Sequence, residues 1–352
     1  MKAVALVSPG KVEEINIAEP TLNDPYGAIL KPLIVTPCTS DVHTIFHGGS
    51  PKRRNLVLGH ESVCQIVEVG SKVKDFKIGE IVAVPAITPT WTSLDIQLGN
   101  IGHADAPFSG HKLGRSIDGV FEEKFYFPMA DLNLAKIPSN VSLEQALMAI
   151  DVVSTGFTAV KNAEVSFGDN VVIFGIGAIG LMAVAGAKLS GAARIIAVGG
   201  RKLSFELAKE YGATDLINYR ESDDVVADIK KLNIPIDKVI ICGGNDNTMR
   251  QAFDIVKYGT GIISNVNYFT GTDDIPIPKF SGGKGMCGKT LKMSLSNGGR
   301  VWIERLLSLI SLNRFDPSKL ITTKLKGFDN IIPAIYKMKD EKENNLKIAV
   351  YL

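Results

Sequence analysis

The chain has 352 residues, a length that fits about two domains and allows a sizeable core without disulfide staples. Hydrophobic residues make up 45% and charged residues 22%, and 39 Lys and Arg stand against 37 Asp and Glu. That balance argues against a dedicated nucleic-acid binder or a polybasic membrane binder.

The four cysteines, at 38, 64, 242 and 287, form no CxxC pair. Neither a zinc knuckle nor a disulfide framework follows, and a reducing cytoplasm is the simplest setting. The N-terminal stretch MKAVALVSPGKVEEINIAEP has too short an apolar run for a signal peptide. The first 150 residues read as strands and turns: GAILKPLIV, CQIVEVGSKV and VKDFKIGEIVAVPAI carry β-branched residues around Gly turns. From Ile87 to Ser116 the pattern breaks into glycines, prolines and mixed charge, as expected of a long surface loop or lid. At Ser142 a helical period begins in SLEQALMAIDVVSTGFTAVKNA, with Ser142 as N-cap and Gln145 three residues on, close to a capping box.

From Asn170 strands and helices alternate: VVIFGI, GLMAVAGAKLSG, RIIAVGG, SFELAKEYG, DLINY, DDVVADIKKL, KVIICGG, TMRQAFDIVKYG and GIISNVNY. Alternation of this kind predicts an α/β fold whose parallel sheet is covered by helices on both faces. The apolar run from Val171 to Ala187 is at the short edge of a membrane span, but its four glycines favour another reading. RVWIERLLSLISLN then reads as an amphipathic helix and NNLKIAVYL as a closing strand.

Gly175-Ile176-Gly177-Ala178-Ile179-Gly180 is a GxGxxG that follows the apolar strand VVIF and opens an apolar helix. In that context the glycines permit a tight turn, close approach of a pyrophosphate and close helix packing, with the helix N-terminus facing the phosphates. The alternative is a Gly-rich turn between buried elements. At the end of the second strand, where NAD enzymes carry an acid, the chain reads Gly199-Gly200-Arg201. Two glycines leave room for a 2′-phosphate and Arg201 can pair with it, so NADP is preferred over NAD. Tyr219, at the end of the next strand, is placed to stack or hydrogen-bond nearby, and replacing Gly199 by Asp is expected to shift the preference toward NAD.

Cys38, His60, Glu61 and Asp151 are all zinc-competent side chains. Their spacing defines no short-range ligand pair, and each alone has an ordinary structural reading as buried thiol, core histidine or helix-associated acid. The motifs around them are more specific. Pro37-Cys38-Thr39-Ser40-Asp41 and Gly59-His60-Glu61, together with VPAITP, DGVF, AVGGR, EYGATD, INY and NVNY in the same order, resemble the medium-chain zinc alcohol dehydrogenases over essentially the whole chain. The likeness is greatest to the NADP-dependent secondary-alcohol (isopropanol) dehydrogenases.

The resemblance implies a GroES-like β-rich catalytic domain from residues 1–153 completed by 296–352, and a Rossmann doubly wound parallel sheet over 154–295. It implies one catalytic zinc held by Cys38, His60 and Asp151, with Glu61 an occasional fourth ligand, and no structural zinc. Three ligands leave a position where an alcohol is acidified before hydride leaves for the nicotinamide. Ser40 and His43 are the implied proton relay. Val266, Asn267 and Tyr268 join the cofactor site, and Ala86, His111 and Leu295 the substrate pocket. A cytoplasmic homotetramer, acting on a small alcohol or ketone and binding neither nucleic acid nor membrane, completes the implied picture.

Three positions depart from the family pattern. His111 stands where relatives place a Trp, which makes room for a polyol or another polar alcohol. Gly200 replaces a serine before the arginine, and Glu341 stands where relatives carry a lysine. A zinc-free, NADPH-dependent quinone-reductase-like protein of the same fold is the alternative from another class, and the ligand set weighs against it.

Overall fold

The computed structural model describes residues 1–47, 54–270 and 274–352. They divide into two compact units, Met1–Ser154 with Asn297–Leu352, and Thr155–Ser296.

The first unit starts with strands β1 (Lys2–Ser8) and β2 (Lys11–Asn16), an antiparallel hairpin, followed by β3 (Ala28–Val35). Helix α1 (Thr39–Phe46) comes next, then β4 (Leu56–Val57), β5 (Ser62–Val69) and β6 (Ile81–Val84). After the irregular lobe that begins near Ile87 come β7 (Phe125–Phe127), α2 (Ala130–Asn133), β8 (Ala135–Lys136) and α3 (Leu143–Met148). The lobe contains a short 3-10 helix, Leu94–Leu98, capped by Ser93. The capping box at the start of α3 is formed, with Gln145 N–H donating to Ser142 Oγ and Ser142 N–H to Gln145 Oε1.

The helical period read from residue 142 onward is not one uniform helix. α3 passes into a π-helical turn, Ala149–Val153, and then into α4 (Ser154–Asn162). A π turn inserts an extra residue per turn and so rotates the side chains that follow, a device found often at functional sites. Asp151 lies inside it. The stretch Leu143–Asn162 is long and apolar enough to cross a membrane by composition, yet 72% of its window is buried inside the protein. The run from Val171 to Ala187, by contrast, is a strand, a turn and part of a helix rather than one element.

The second unit carries β9 (Asn170–Phe174), α5 (Ala178–Leu189), β10 (Arg194–Gly199), α6 (Lys202–Tyr211), β11 (Asp215–Asn218) and α7 (Val225–Lys231). β12 (Lys238–Ile241), α8 (Asp246–Ile255), β13 (Ile262–Asn265) and β14 (Thr290–Met293) follow. The strands form one parallel sheet in the order β11-β10-β9-β12-β13-β14, the doubly wound order in which the direction of winding reverses beside the first strand. Central strands here are apolar on both faces: Val172, Ile196, Val239 and Ile263 on one side and Ile173, Ala197 and Ile240 on the other are all fully enclosed. Strand β14 has no counterpart in the sequence reading. Its TLKM is short, and two of its four residues are exposed, so no period marks it.

The chain then returns to the first unit with α9 (Arg300–Ser311), β15 (Ile321–Lys326), α10 (Ile331–Asp340) and β16 (Lys347–Tyr351). β16 pairs antiparallel with β3, setting Val350 against Val35, and joins a seven-stranded sheet. Its Ile348 and Val350 share one core with Ala3, Val4, Leu30, Ile66, Phe121 and Phe125, so the first strand and the last contribute to the same cluster.

Candidate metal centre and nucleotide site

Three distant segments of the first unit converge on the candidate metal centre. Cys38 caps α1, His60 and Glu61 lead into β5, and Asp151 sits in the π turn. One ligand atom from each of these four residues lies within 4.8 Å of the others. The thiol Sγ of Cys38 is 3.7 Å from Asp151 Oδ2. Gly59, just before the histidine, has φ +89, and a Cβ there would lie 2.5 Å from the Phe121 ring. Only glycine lets the backbone turn into this pair at that distance.

Asp41 braces the centre from behind. Its carboxylate accepts from Cys38 N–H at 2.8 Å and from Gly59 N–H at 3.3 Å, so one side chain ties two ligand-bearing segments together. Its Oδ1 also stands 3.5 Å from His60 Nδ1. A carboxylate there favours a proton on Nδ1 and leaves Nε2 for a metal. Ser40 Oγ lies 3.3 Å from that same Nε2. Since Ser40 and His43 both belong to α1, three residues apart, they share a helix face.

The charges are crowded and largely dry. Glu61 is fully enclosed, and burial pushes its carboxyl up to about 7 against the pull of the Lys347 ammonium. Burial also raises the Cys38 thiol, with Lys347 opposing. For His60 burial acts to lower the pKa, but the Asp41 carboxylate outweighs it and holds the imidazole well above its ordinary value. Burial, followed by repulsion from His60, holds His111 down at about 3 and keeps it neutral. The two imidazole rings meet edge to face at 4.8 Å.

The donor set suits zinc: one thiolate, one imidazole and carboxylates, with a histidine oriented from its far nitrogen. Glu61 Oε2 adds an independent sign, being buried with no hydrogen-bond partner among the described residues. A buried carboxylate oxygen left in that state is costly unless a cation meets it. Ala86 is buried beside this centre, with its N–H donating to Ile150 O in the π turn, and Thr88 N–H donates to Gly110 O next to His111.

The candidate nucleotide residues lie in the second unit. Gly175 has φ +81, and a Cβ there would meet the Gly243 backbone at 2.4 Å, so two strand-to-loop turns touch through glycine alone. Gly177 caps α5, and Ile176 to Gly180 carry the chain from turn into helix. Among the described residues, the atom within 4 Å of a Cβ built on Gly177 is Arg201 Nη2 at 3.4 Å, which places that guanidinium over the glycine-rich turn. Gly199 ends β10 and Gly200 follows it. Tyr219 and Arg220 stand within 2.9 Å of a Cβ built on Gly200, and the Arg220 guanidinium lies 5.9 Å from the Tyr219 ring. Past β13, Val266 N–H donates to Ile241 O, Asn267 O accepts from Asn265 Nδ2, and Tyr268 is exposed. Asn267 Nδ2 and Asn265 Oδ1 are buried without partners among the described residues, as expected where a polar ligand completes the bonding. Leu295 follows β14 in this same unit.

Sequence reasoning missed Asp41, Arg220 and Lys347. Asp41 was visible within the PCTSD motif, three residues beyond Cys38 at the start of a helix, where an acid can reach back to a cap N–H. Lys347 also left a signal, as the one cation in the apolar closing run LKIAVYL. Arg220 carried none, because its role depends on which turn faces Gly200. Glu341, read as a departure from the family pattern, pairs with Lys337 on α10.

A zinc-type donor cluster in one unit and a doubly wound sheet with a glycine-rich first turn in the other define the class as a metal-dependent dehydrogenase. The model of the alcohol dehydrogenase GroES-like domain matches residues 24–139, and that of the zinc-binding dehydrogenase matches residues 178–311. The NADP-dependent isopropanol dehydrogenase of Thermoanaerobacter brockii is 47% identical with all of both chains covered, and that of Clostridium beijerinckii is 45% identical, again over the full length of both. Among solved structures, an alcohol dehydrogenase of Thermus sp. superposes with TM-score 0.88 at 26% identity, covering 100% of this chain and 99% of that one. The chain belongs to the zinc-dependent medium-chain alcohol dehydrogenase family.

Proposed function

We propose that this protein is a zinc-dependent secondary-alcohol dehydrogenase that interconverts secondary alcohols and ketones, and also aldehydes, with NADP(H). The observation that carries the reading is the convergence of Cys38, His60, Glu61 and Asp151 to within 4.8 Å. Full-length similarity to proteins named NADP-dependent isopropanol dehydrogenase supports the cofactor and the substrate class.

In this reading Cys38, His60 and Asp151 hold one zinc, with Glu61 available as a further ligand. When bound, zinc supplies Lewis acidity that polarises an alcohol or carbonyl oxygen. Asp41 keeps the His60 imidazole oriented. Ser40 Oγ, next to His60 Nε2, takes the proton of the substrate hydroxyl as its own hydroxyl proton moves on to His43, which releases it to water. The glycine-rich turn 175–180 takes the pyrophosphate, while Arg201, Tyr219 and the bare backbone of Gly199 and Gly200 take the 2′-phosphate. Val266, Asn267 and Tyr268 serve the same cofactor. Ala86 and His111 wall the substrate, and Leu295 has the same role by family resemblance. The working form is a cytoplasmic homotetramer, on the same resemblance.

Two measurements on the purified protein test the reading. Metal analysis is expected to return one zinc per chain. Initial rates with propan-2-ol and with acetone are expected to be faster with NADP(H) than with NAD(H). A zinc-free preparation that oxidises NADPH undiminished, or equal rates with both cofactors, refutes it.

A further inference from the structure

Lys347 opens β16 and is 3% exposed, an unusual position for a lysine, which is rarely enclosed unless paired. Its Nζ donates to Glu61 Oε1 at 2.5 Å and to the carbonyl of Pro37 at 3.3 Å. One ammonium thus holds a candidate ligand and the residue immediately before another. The second oxygen of Glu61 is buried and has no hydrogen-bond partner among the described residues. Glu61 is therefore tied by one oxygen to a fixed cation and open at the other, inside the metal centre.

The charge balance points the same way. A Cys38 thiolate and the Glu61 and Asp151 carboxylates bring three negative charges against the two positive charges of a divalent metal, and the buried Asp41 carboxylate behind His60 adds a fourth. Lys347 offsets one of the two charges left over, within a dry site where an uncompensated charge is strongly disfavoured. It also competes with the metal for Glu61, because the two cations share one carboxylate.

We propose that Lys347 is a positioning residue that restrains Glu61 from becoming a permanent fourth ligand, keeping the substrate position of the metal available. This rests on the zinc-site reading above. Lysine does this without occupying the second carboxylate oxygen, since its stem enters from β16 while its head bonds Glu61 Oε1 and the Pro37 carbonyl and not Oε2. Arginine keeps the charge, whereas methionine keeps the length and removes it.

The test compares wild type, Lys347→Met, Lys347→Arg, Glu61→Gln and the double variant Lys347→Met/Glu61→Gln. Each is loaded with cobalt(II) for its visible ligand-field spectrum and, separately, with zinc for release into an excess of chelator. In Lys347→Met, Glu61 is expected to join the metal: the cobalt bands change, and zinc release slows about tenfold. The double variant is expected to return to the wild-type spectrum, and Lys347→Arg to stay close to it. Glu61→Gln alone keeps an acceptor for Lys347 and is expected to leave the cobalt spectrum unchanged, an arm that stands even if Lys347→Met does not fold. A changed spectrum in Glu61→Gln, or a Lys347→Met spectrum equal to wild type, overturns the proposal. A general loss of stability with unaltered cobalt bands in every variant also overturns it, since that is what a purely structural lysine would give. Wild type that takes up no metal refutes the zinc reading itself, which separates the two failures.

Discussion

Arg201→Ala offers the most direct view of how cofactor choice is built. The Arg201 guanidinium lies over the glycine-rich turn, 3.4 Å from where Gly177 would carry a Cβ, and Gly199 at the end of β10 and Gly200 after it carry no side chains. No carboxylate follows β10 to repel a phosphate. A charge-assisted hydrogen bond to a 2′-phosphate contributes about 1.5–3 kcal/mol. Arg201 is partly exposed, which favours the lower half of that range, and Arg220 beside Gly200 can make up part of the loss. About 1.5–2 kcal/mol corresponds to a loss of roughly 10- to 30-fold in kcat/KM for NADPH. The same substitution leaves NADH, which has no phosphate at that position, nearly unchanged. Steady-state kinetics with both cofactors at a fixed ketone concentration read the ratio directly. If both cofactors fall by the same factor, Arg201 acts on the fold or on the pyrophosphate, and the reasoning fails. Replacing Gly199 by Asp is a poorer test than the sequence led one to expect, because a Cβ there would lie 2.3 Å from Ile176 Cγ1 and disturb the turn itself.

Other perturbations probe the metal unit. Ser40→Ala is expected to lower kcat by about 10²–10⁴-fold, the range for a lost proton-transfer group, with zinc content intact; near-normal turnover would remove Ser40 from the relay. Asp41→Asn replaces the carboxylate behind His60, and a loss of about 10- to 100-fold in zinc affinity is expected from competitive chelator titration. Unchanged affinity would show that the His60 tautomer does not depend on Asp41. His111→Leu exchanges a neutral imidazole beside His60 for an apolar side chain. Hydroxylated ketones should then lose about 2- to 12-fold relative to unsubstituted ones in paired kcat/KM measurements, the worth of one hydrogen bond; an unchanged ratio would show that His111 does not contact the substrate.

The sequence determined what depends on neighbours along the chain. Strand, turn and helix around Gly175 to Gly180 were legible because period and glycine placement are local properties. The same holds for the Ser142–Gln145 capping box and for the absence of an acid after β10. Residues 38, 60 and 151 each had an ordinary structural reading until the surrounding motifs were weighed together. Their convergence is a tertiary fact: β5 pairs with β3, with two shifts of register along the way, and the π turn rotates Asp151 into line with a helix cap and a strand end. Tertiary structure alone also decided the roles of Asp41 and Lys347. A carboxylate or an ammonium states its charge in the sequence but not its partner, and for Lys347 that partner, Glu61, is 286 residues away. Burial then converts that pairing from a weak surface contact into a constraint on the metal centre, because a dry site leaves neither charge another partner.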